Sequence, residues 1–171
     1  MSILYMGVNM LCIYQCEEGA LYKIIKLKDR KRFRKLMDRY NIYGYIGGAP
    51  YTPDRRDLVY VKDGDWCYLF IIHRFNNPSV AIRNKVNPFN SWFIRRMCMV
   101  EECRDKYGDV AVEAMKCLLQ YLKHINSDAV FSIAMQDDIR WSGAVFKKSG
   151  FKEIGRTANG KGKWFMVKFK S

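Results

Sequence analysis

The pattern that most constrains this chain is a strand, a long amphipathic helix and a second strand between Ser91 and Met135. SWFIRRMCMV (91–100) is mostly apolar and bounded by polar segments, as a strand is. From Asp109 the periodicity turns helical, with Val112, Met115, Leu118, Leu119 and Leu122 forming one apolar stripe through VAVEAMKCLLQYLKHI. AVFSIAM (129–135) is a short apolar run between polar neighbours, the signature of a buried central strand. Strands joined through a helix lie parallel, so these two are expected as parallel neighbours in one sheet.

The remaining elements arrange themselves around that pair. Residues 3–28 alternate loosely and predict one or two strands. Asp29 is a candidate N-cap for a helix over DRKRFRKLMDRY. Phe33, Leu36, Met37 and Tyr40 share one face of it, and Arg30, Lys31, Arg32, Arg34, Lys35 and Arg39 form a basic back. A glycine- and proline-rich loop, NIYGYIGGAPYTP, follows. DLVYVKDGDWCYLFII reads as a hairpin turning at Asp63-Gly64, and PSVAIRNK as a further strand. WSGAVFKKSG predicts a helix ending at Gly150, followed by strands near 151–156 and 163–169 joined by TANGKG. With no repeat or linker, residues 1–171 form a single domain. Its fold class is α/β (an α+β mixed sheet), not doubly wound, because hairpins join the middle strands.

Composition bounds the function classes. Thirty Lys and Arg against 17 Asp and Glu give a formal charge of +13, which points to a polyanionic partner and to salt-sensitive binding. No apolar run approaches a membrane span, and the N-terminus lacks the pattern of a signal peptide. Cys12, Cys16, Cys67, Cys98, Cys103 and Cys117 contain no CxxC pair, and there are only two histidines, so no metal site is expected. The cysteines are read as reduced, core-packing thiols and the protein as cytoplasmic. His73 and His124 are not expected to be catalytic.

GAVFKKSGFKEIG places Phe146, Gly150 and Phe151 where the GNAT acyltransferases carry a Yxxx-Gly-Phe helix end. In VEECRDKYGDVAVEAM, Gly108 lies eight residues after Val100, as the first glycine of that family's pyrophosphate loop does. Val110 stands at the second glycine, and Arg104 and Lys106 flank Asp105. The chain therefore resembles the GNAT family. The resemblance implies a splayed mixed sheet flanked by helices and an acetyl-CoA or related acyl-CoA donor. The donor would be held by Cys98, Met99, Val100, Arg104, Lys106, Tyr107, Gly108 and Asp109. A plain helix cap at Gly108–Asp109 is the alternative for that stretch.

Over roughly residues 30–156 the chain also resembles the phage Mom DNA-modification family, a divergent GNAT-like group. GYIGGAP supplies Tyr45, Gly47 and Pro50 for its loop motif, FIRRMCM supplies Arg96, and FSIAMQDD precedes GAVF. Gly44 stands where that family has a loop histidine, and Phe146 where it has a helix tyrosine. The resemblance implies transfer of an acyl or acyl-derived, carbamoylmethyl-type group to a nucleobase amine, shielding DNA from restriction.

Candidate catalytic residues are Tyr45, Arg96, Asp137 and Asp138. Strand neighbours face opposite sides, so one of Arg95 and Arg96 faces a cleft or solvent. Asp137 and Asp138 sit where a central strand ends and can take a proton from an amine or simply form a turn. Arg30, Lys31, Arg34, Lys35, Arg55 and Arg56 can track phosphates of double-stranded DNA. Arg83, Lys85, Lys147 and Lys148 can do the same, and Tyr40, Tyr43, Tyr45, Tyr51 and Trp92 can stack on bases, one flipped out for modification. Two other functions stay open: an acetyltransferase for a protein or RNA amine, and a degenerate scaffold that binds nucleic acid or inhibits a host factor.

Overall fold

The computed structural model describes residues 4–6, 10–46 and 54–170. Its sheet contains β1 (Leu4–Met6), β2 (Met10–Gln15), β3 (Ala20–Ile24), β4 (Arg56–Lys62), β5 (Asp65–Arg74), β6 (Ser91–Met99), β7 (Ala129–Met135), β8 (Lys152–Arg156) and β9 (Gly162–Lys168). The order across it is β1-β2-β3-β4-β5-β6-β7-β9-β8. Every neighbouring pair is antiparallel except β6 and β7, the expected parallel pair. The N-terminal segment thus makes three strands, where alternation predicted one or two.

The helices are α1 (Leu27–Tyr40), α2 (Pro78–Arg83), α3 (Glu101–Tyr107), α4 (Ala111–His124) and α5 (Ala144–Lys148). Helix α1 begins ahead of Asp29: Lys26 is its N-cap, and Asp29 is buried in the first turn, where a carboxylate meets the positive end of the helix. Phe33 and Met37 enter the core, and the basic back stays exposed. PSVAIR is a helix, not a strand. The Asn77 side chain accepts from Val80 N–H at 3.2 Å and Pro78 opens the helix, and these end signals outweigh β-branched content. The turn at Asp63-Gly64 has positive φ at both residues.

The two faces of β7 separate the packing. Val130 and Ala134 join the main core with the apolar face of α4, while Phe131 joins Phe75, Trp164 and the α2 residues Val80 and Ala81. The Phe75 and Phe131 rings stack at 4.0 Å. Beyond β7 a 3₁₀ turn (Ile139–Ser142) leads through Gly143, φ 72°, into α5. A Cβ at Gly143 would come within 2.2 Å of the Phe165 ring, so this close approach requires glycine.

The cysteines depart from the sequence reading. Four of the six are paired, Cys16 with Cys117 and Cys67 with Cys103, leaving Cys12 and Cys98 as buried thiols. Among the described residues no helix is long and apolar enough to cross a membrane.

Candidate functional site

A wedge opens between β6 and β7. Their parallel pairing runs from Ser91↔Ala129 to Ile94↔Ser132 and stops, although β6 continues to Met99 and β7 to Met135. The break coincides with a bulge. Ile71 and Ile72 of β5 face Arg96 and Ile94, so Arg95 is the extra residue that bends β6 away from its neighbour. At the vertex, Ser132 Oγ donates to the Ile94 carbonyl at 3.1 Å. β7 stays paired to β9 throughout, so the opening lies on the β6 side alone. From Arg95 to Met99 the edge of β6 turned toward β7 has no ladder partner among the described residues. Asn41 Nδ2 donates to the Met97 carbonyl at 2.8 Å.

Two cavities flank the wedge, each of about 210 Å³. The first lies between Tyr43, Phe93, Arg95, Arg96, Ile133 and Arg140. Both arginines reach it because the bulge breaks strand alternation. Arg96 is half-buried; its Nε donates to the Gly44 carbonyl at 3.1 Å, and its guanidinium lies 5.2 Å from the Tyr43 ring centre. Tyr43 Oη donates to Asp137 Oδ1 at 2.6 Å. Burial first, and then that carboxylate, push the Tyr43 phenol up to about 12. Asp138 is engaged differently: Oδ1 accepts from Arg140 N–H at 2.9 Å, and Oδ2 holds the Arg140 guanidinium. Asp138 therefore anchors Arg140, which lines both cavities, while Asp137 is exposed and bonded to Tyr43, a wall of the first.

The second cavity extends toward α4. Tyr68, Cys98, Met99, Arg104, Asp109 and Val145 are among its walls. Burial pushes the Cys98 thiol up to about 12, and its sulfur sits 3.6 Å from Met37 Sδ, so it is a packing thiol and not a nucleophile. The expected pyrophosphate loop is not a loop: residues 101–107 form α3. Gly108, φ 77°, ends that helix, and Asp109 Oδ1 caps the next by accepting from Ala111 N–H at 2.9 Å. Lys106 and Tyr107 are drawn to Asp65, at 2.9 and 2.8 Å, and Val100 is buried with its N–H on the Cys67 carbonyl. Of the donor-site residues expected from sequence, Cys98, Met99, Arg104 and Asp109 face this cavity.

The basic surface divides. Lys23, Arg30, Arg34, Tyr45 and Arg55 surround a recess of about 390 Å³, joined to the wedge through the 43–45 loop. Lys31 and Lys35 line a shallow groove on the outer side of α1. Arg56 does not belong to either. It bonds the Tyr121 hydroxyl and lies over Trp92 at 4.7 Å. Trp92 is fully buried, with Nε1 on Ser127 Oγ, and cannot stack on a base. The Tyr45 ring has the Arg34 and Arg55 guanidinia at 5.7 and 5.0 Å, and its hydroxyl reaches Asp57 at 3.4 Å, remote from Asp137 and Asp138 in bonding. Gly47, Gly48, Pro50 and Tyr51 lie outside the described residues.

Phe146 is fully buried and packs on Phe151 and Phe165 at 5.1 and 4.9 Å, so no hydroxyl enters the wedge from α5. Sequence reasoning passed over Asn41, Tyr68 and Arg140. Asn41 and Arg140 carried no motif, and Tyr68 lies in an apolar strand where it reads as core. Among the described residues no group of three or more His, Cys, Asp or Glu is arranged to hold a metal ion.

No protein-family profile matches the chain. Uncharacterized protein 154 of Sulfolobus islandicus rod-shaped virus 1 is 29% identical over 153 residues, covering 86% of this chain and 91% of that protein. Among solved structures, AAC(6')-Ib in complex with ribostamycin and coenzyme A superposes with a TM-score of 0.65 at 9% identity, covering 89% of this chain and 94% of that one. The GNAT domain of S. lividans PAT gives 0.59 at 11% identity over 88% and 90%. The ribosomal-protein-S18-alanine N-acetyltransferase of Escherichia coli gives 0.56 at 10% identity over 90% and 95%. Together with the splay between β6 and β7, these similarities establish that the chain has the GNAT acetyltransferase fold.

Proposed function

We propose that this protein is an acyltransferase that moves an acyl group from an acyl-CoA donor to an amine, and that the amine belongs to a DNA base. The observation that carries the transfer reading is the wedge: five residues of β6 released from β7, with a cavity on either side. The β6 edge and Tyr68 suit a pantetheine arm, which combines amides with methylenes. Solved structures of the same fold were obtained with coenzyme A. The donor supplies an activated thioester carbonyl. Asp137, oriented through Oδ1 by Tyr43, keeps Oδ2 to accept the proton of an amine arriving from the Tyr43–Arg96 cavity. The Arg96 cation, beside Arg95 and Arg140, favours negative charge developing at the vertex.

A DNA acceptor is supported by the +13 charge, by the exposed cations of α1, and by the basic recess leading through the 43–45 loop to Arg96. The resemblance to the Mom family supplies the nucleobase amine. The test is to incubate the protein with acetyl-CoA and duplex DNA, follow thiol release, and analyse the digested nucleosides by mass. Thiol release with an acylated nucleoside is expected. Thiol release with unaltered DNA would mean that the acyl group passes to water or to the protein itself and would end the DNA reading, and no release with DNA, RNA or protein amines would end the transfer reading.

A second reading is binding without turnover. Buried Phe146 favours it, since the α5 position that carries a tyrosine in GNAT-type motifs offers no hydroxyl.

A further inference from the structure

Four cations from three parts of the fold converge on the recess beside Tyr45. Lys23 comes from β3, Arg30 and Arg34 stand one turn apart on α1, and Arg55 directly precedes β4. One carboxylate, Asp57, shares the recess, and it is buried against Arg55, with Oδ1 2.9 Å from Nε. Arg34 pairs only with the exposed Asp38, at 3.8 Å, an ion pair worth little in water. Lys23 and Arg30 make no ion pair among the described residues. The Tyr45 ring gathers two of the guanidinia, with Arg34 and Arg55 at 5.7 and 5.0 Å from its centre. The ring is itself seated edge-on against the fully buried Phe33, and the Tyr45 N–H donates to Asp38 at 2.8 Å. Holding like charges together costs free energy that a bound anion recovers.

The groove on the outer side of α1 is built differently. Lys28, Lys31 and Lys35 are point charges strung along one helix, and Arg32 lies over Trp66 at 4.1 Å. Such a row suits successive backbone phosphates, whereas converging guanidinium forks suit one anion with several free oxygens. A phosphate monoester presents three acceptor oxygens and nearly two charges, and a backbone phosphodiester offers fewer of each. We propose that the recess is a site for a single phosphate monoester, which on a nucleic-acid partner is the terminal phosphate of a strand. Arg30 and Arg34 grip its oxygens, Lys23 adds charge, and Tyr45 with Asp57 positions the guanidinia of Arg34 and Arg55. The Gly44 carbonyl, next to Tyr45 in the chain, accepts from Arg96, so a strand end seated here lies beside the Tyr43–Arg96 cavity. The proposal rests on the nucleic-acid part of the reading above and is independent of acyl transfer.

The experiment is fluorescence anisotropy of the full chain with an internally labelled single-stranded oligonucleotide carrying a 5′-phosphate, a 3′-phosphate or hydroxyls at both ends. One phosphorylated strand is expected to bind about tenfold more tightly than the hydroxyl strand, as a charge-assisted contact would give. Inorganic phosphate added at constant ionic strength should abolish that difference. Arg30→Gln/Arg34→Gln should abolish it too, while Lys31→Gln/Lys35→Gln should weaken all three strands by one factor and keep it. Equal affinity for the three strands, or a preference that survives Arg30→Gln/Arg34→Gln, overturns the proposal and leaves acyl transfer untouched. If no strand binds, the DNA acceptor reading fails, and calorimetric titration with inorganic phosphate alone decides the site. Binding that is lost in Arg30→Gln/Arg34→Gln then upholds it, and no binding heat overturns it. Both arginines are exposed, so the variant should melt as the parent does.

Discussion

Tyr43 Oη and Asp137 Oδ1 lie 2.6 Å apart and tie the loop after α1 to the turn after β7 across the open end of the wedge. The bond fixes a carboxylate that holds no arginine, whereas its neighbour Asp138 is committed to Arg140. Tyr43→Phe should lower kcat for acyl transfer about tenfold, with KM for the thioester unchanged. A comparable loss in KM alone would assign Tyr43 to donor binding.

The same phenol makes a stability prediction. Its native value, about 12, lies above the unfolded value near 10. The stabilisation is therefore fully present below pH 10 and is lost as pH rises through 12. Denaturation midpoints measured from pH 8 to 12 should fall less steeply in Tyr43→Phe than in the parent. Between pH 6 and 9 the two profiles should run parallel, because the phenol does not titrate there.

The two disulfides predict a thiol count. Unfolded without reductant, the chain should show two reactive thiols, Cys12 and Cys98; with reductant it should show six. Cys16–Cys117 closes 101 residues of chain, worth about 4–5 kcal/mol in lost unfolded-state entropy. Cys16→Ser/Cys117→Ser should lower Tm by roughly 10–15 °C by calorimetry. Six reactive thiols in the unreduced protein would refute the pairing.

Restoring a tyrosine on α5 should not restore a tyrosine's function. Phe146 is enclosed by Phe151 and Phe165, so the added hydroxyl of Phe146→Tyr would be buried without a partner. A loss of about 1–3 kcal/mol in urea denaturation is expected, with no gain in turnover. A faster enzyme would show that the stack opens toward the wedge.

Nucleic-acid binding should be strongly salt-dependent and centred on α1. Reversing Lys31 and Lys35, both exposed, should lower DNA affinity and reduce the slope of log K against log salt by about 2, read by fluorescence anisotropy. Substituting Arg56 should leave that slope unchanged and lower the thermal denaturation midpoint instead, because that side chain is spent on Tyr121 and Trp92.

What the sequence determined by itself was whatever depends on near neighbours in the chain. The boundaries of β7, the apolar stripe of α4 and the turn at Asp63-Gly64 follow from periodicities and backbone preferences that act over a few residues. Where two local signals competed, the sequence reading failed. Asn77 and Pro78 started a helix that β-branched residues had argued against, and residues 101–107 closed into α3 where glycine spacing had suggested a loop. Only the tertiary structure decided the disulfides and the site. Cys16 meets Cys117 because α4 packs on the sheet beside β2, and Tyr43 meets Asp137 across 94 residues because the loop after α1 lies against the turn after β7. Arg95 became the extra residue in β6, and that single register shift opened the wedge. Pairing register is a property of two strands at once, and neither strand's own sequence contains it.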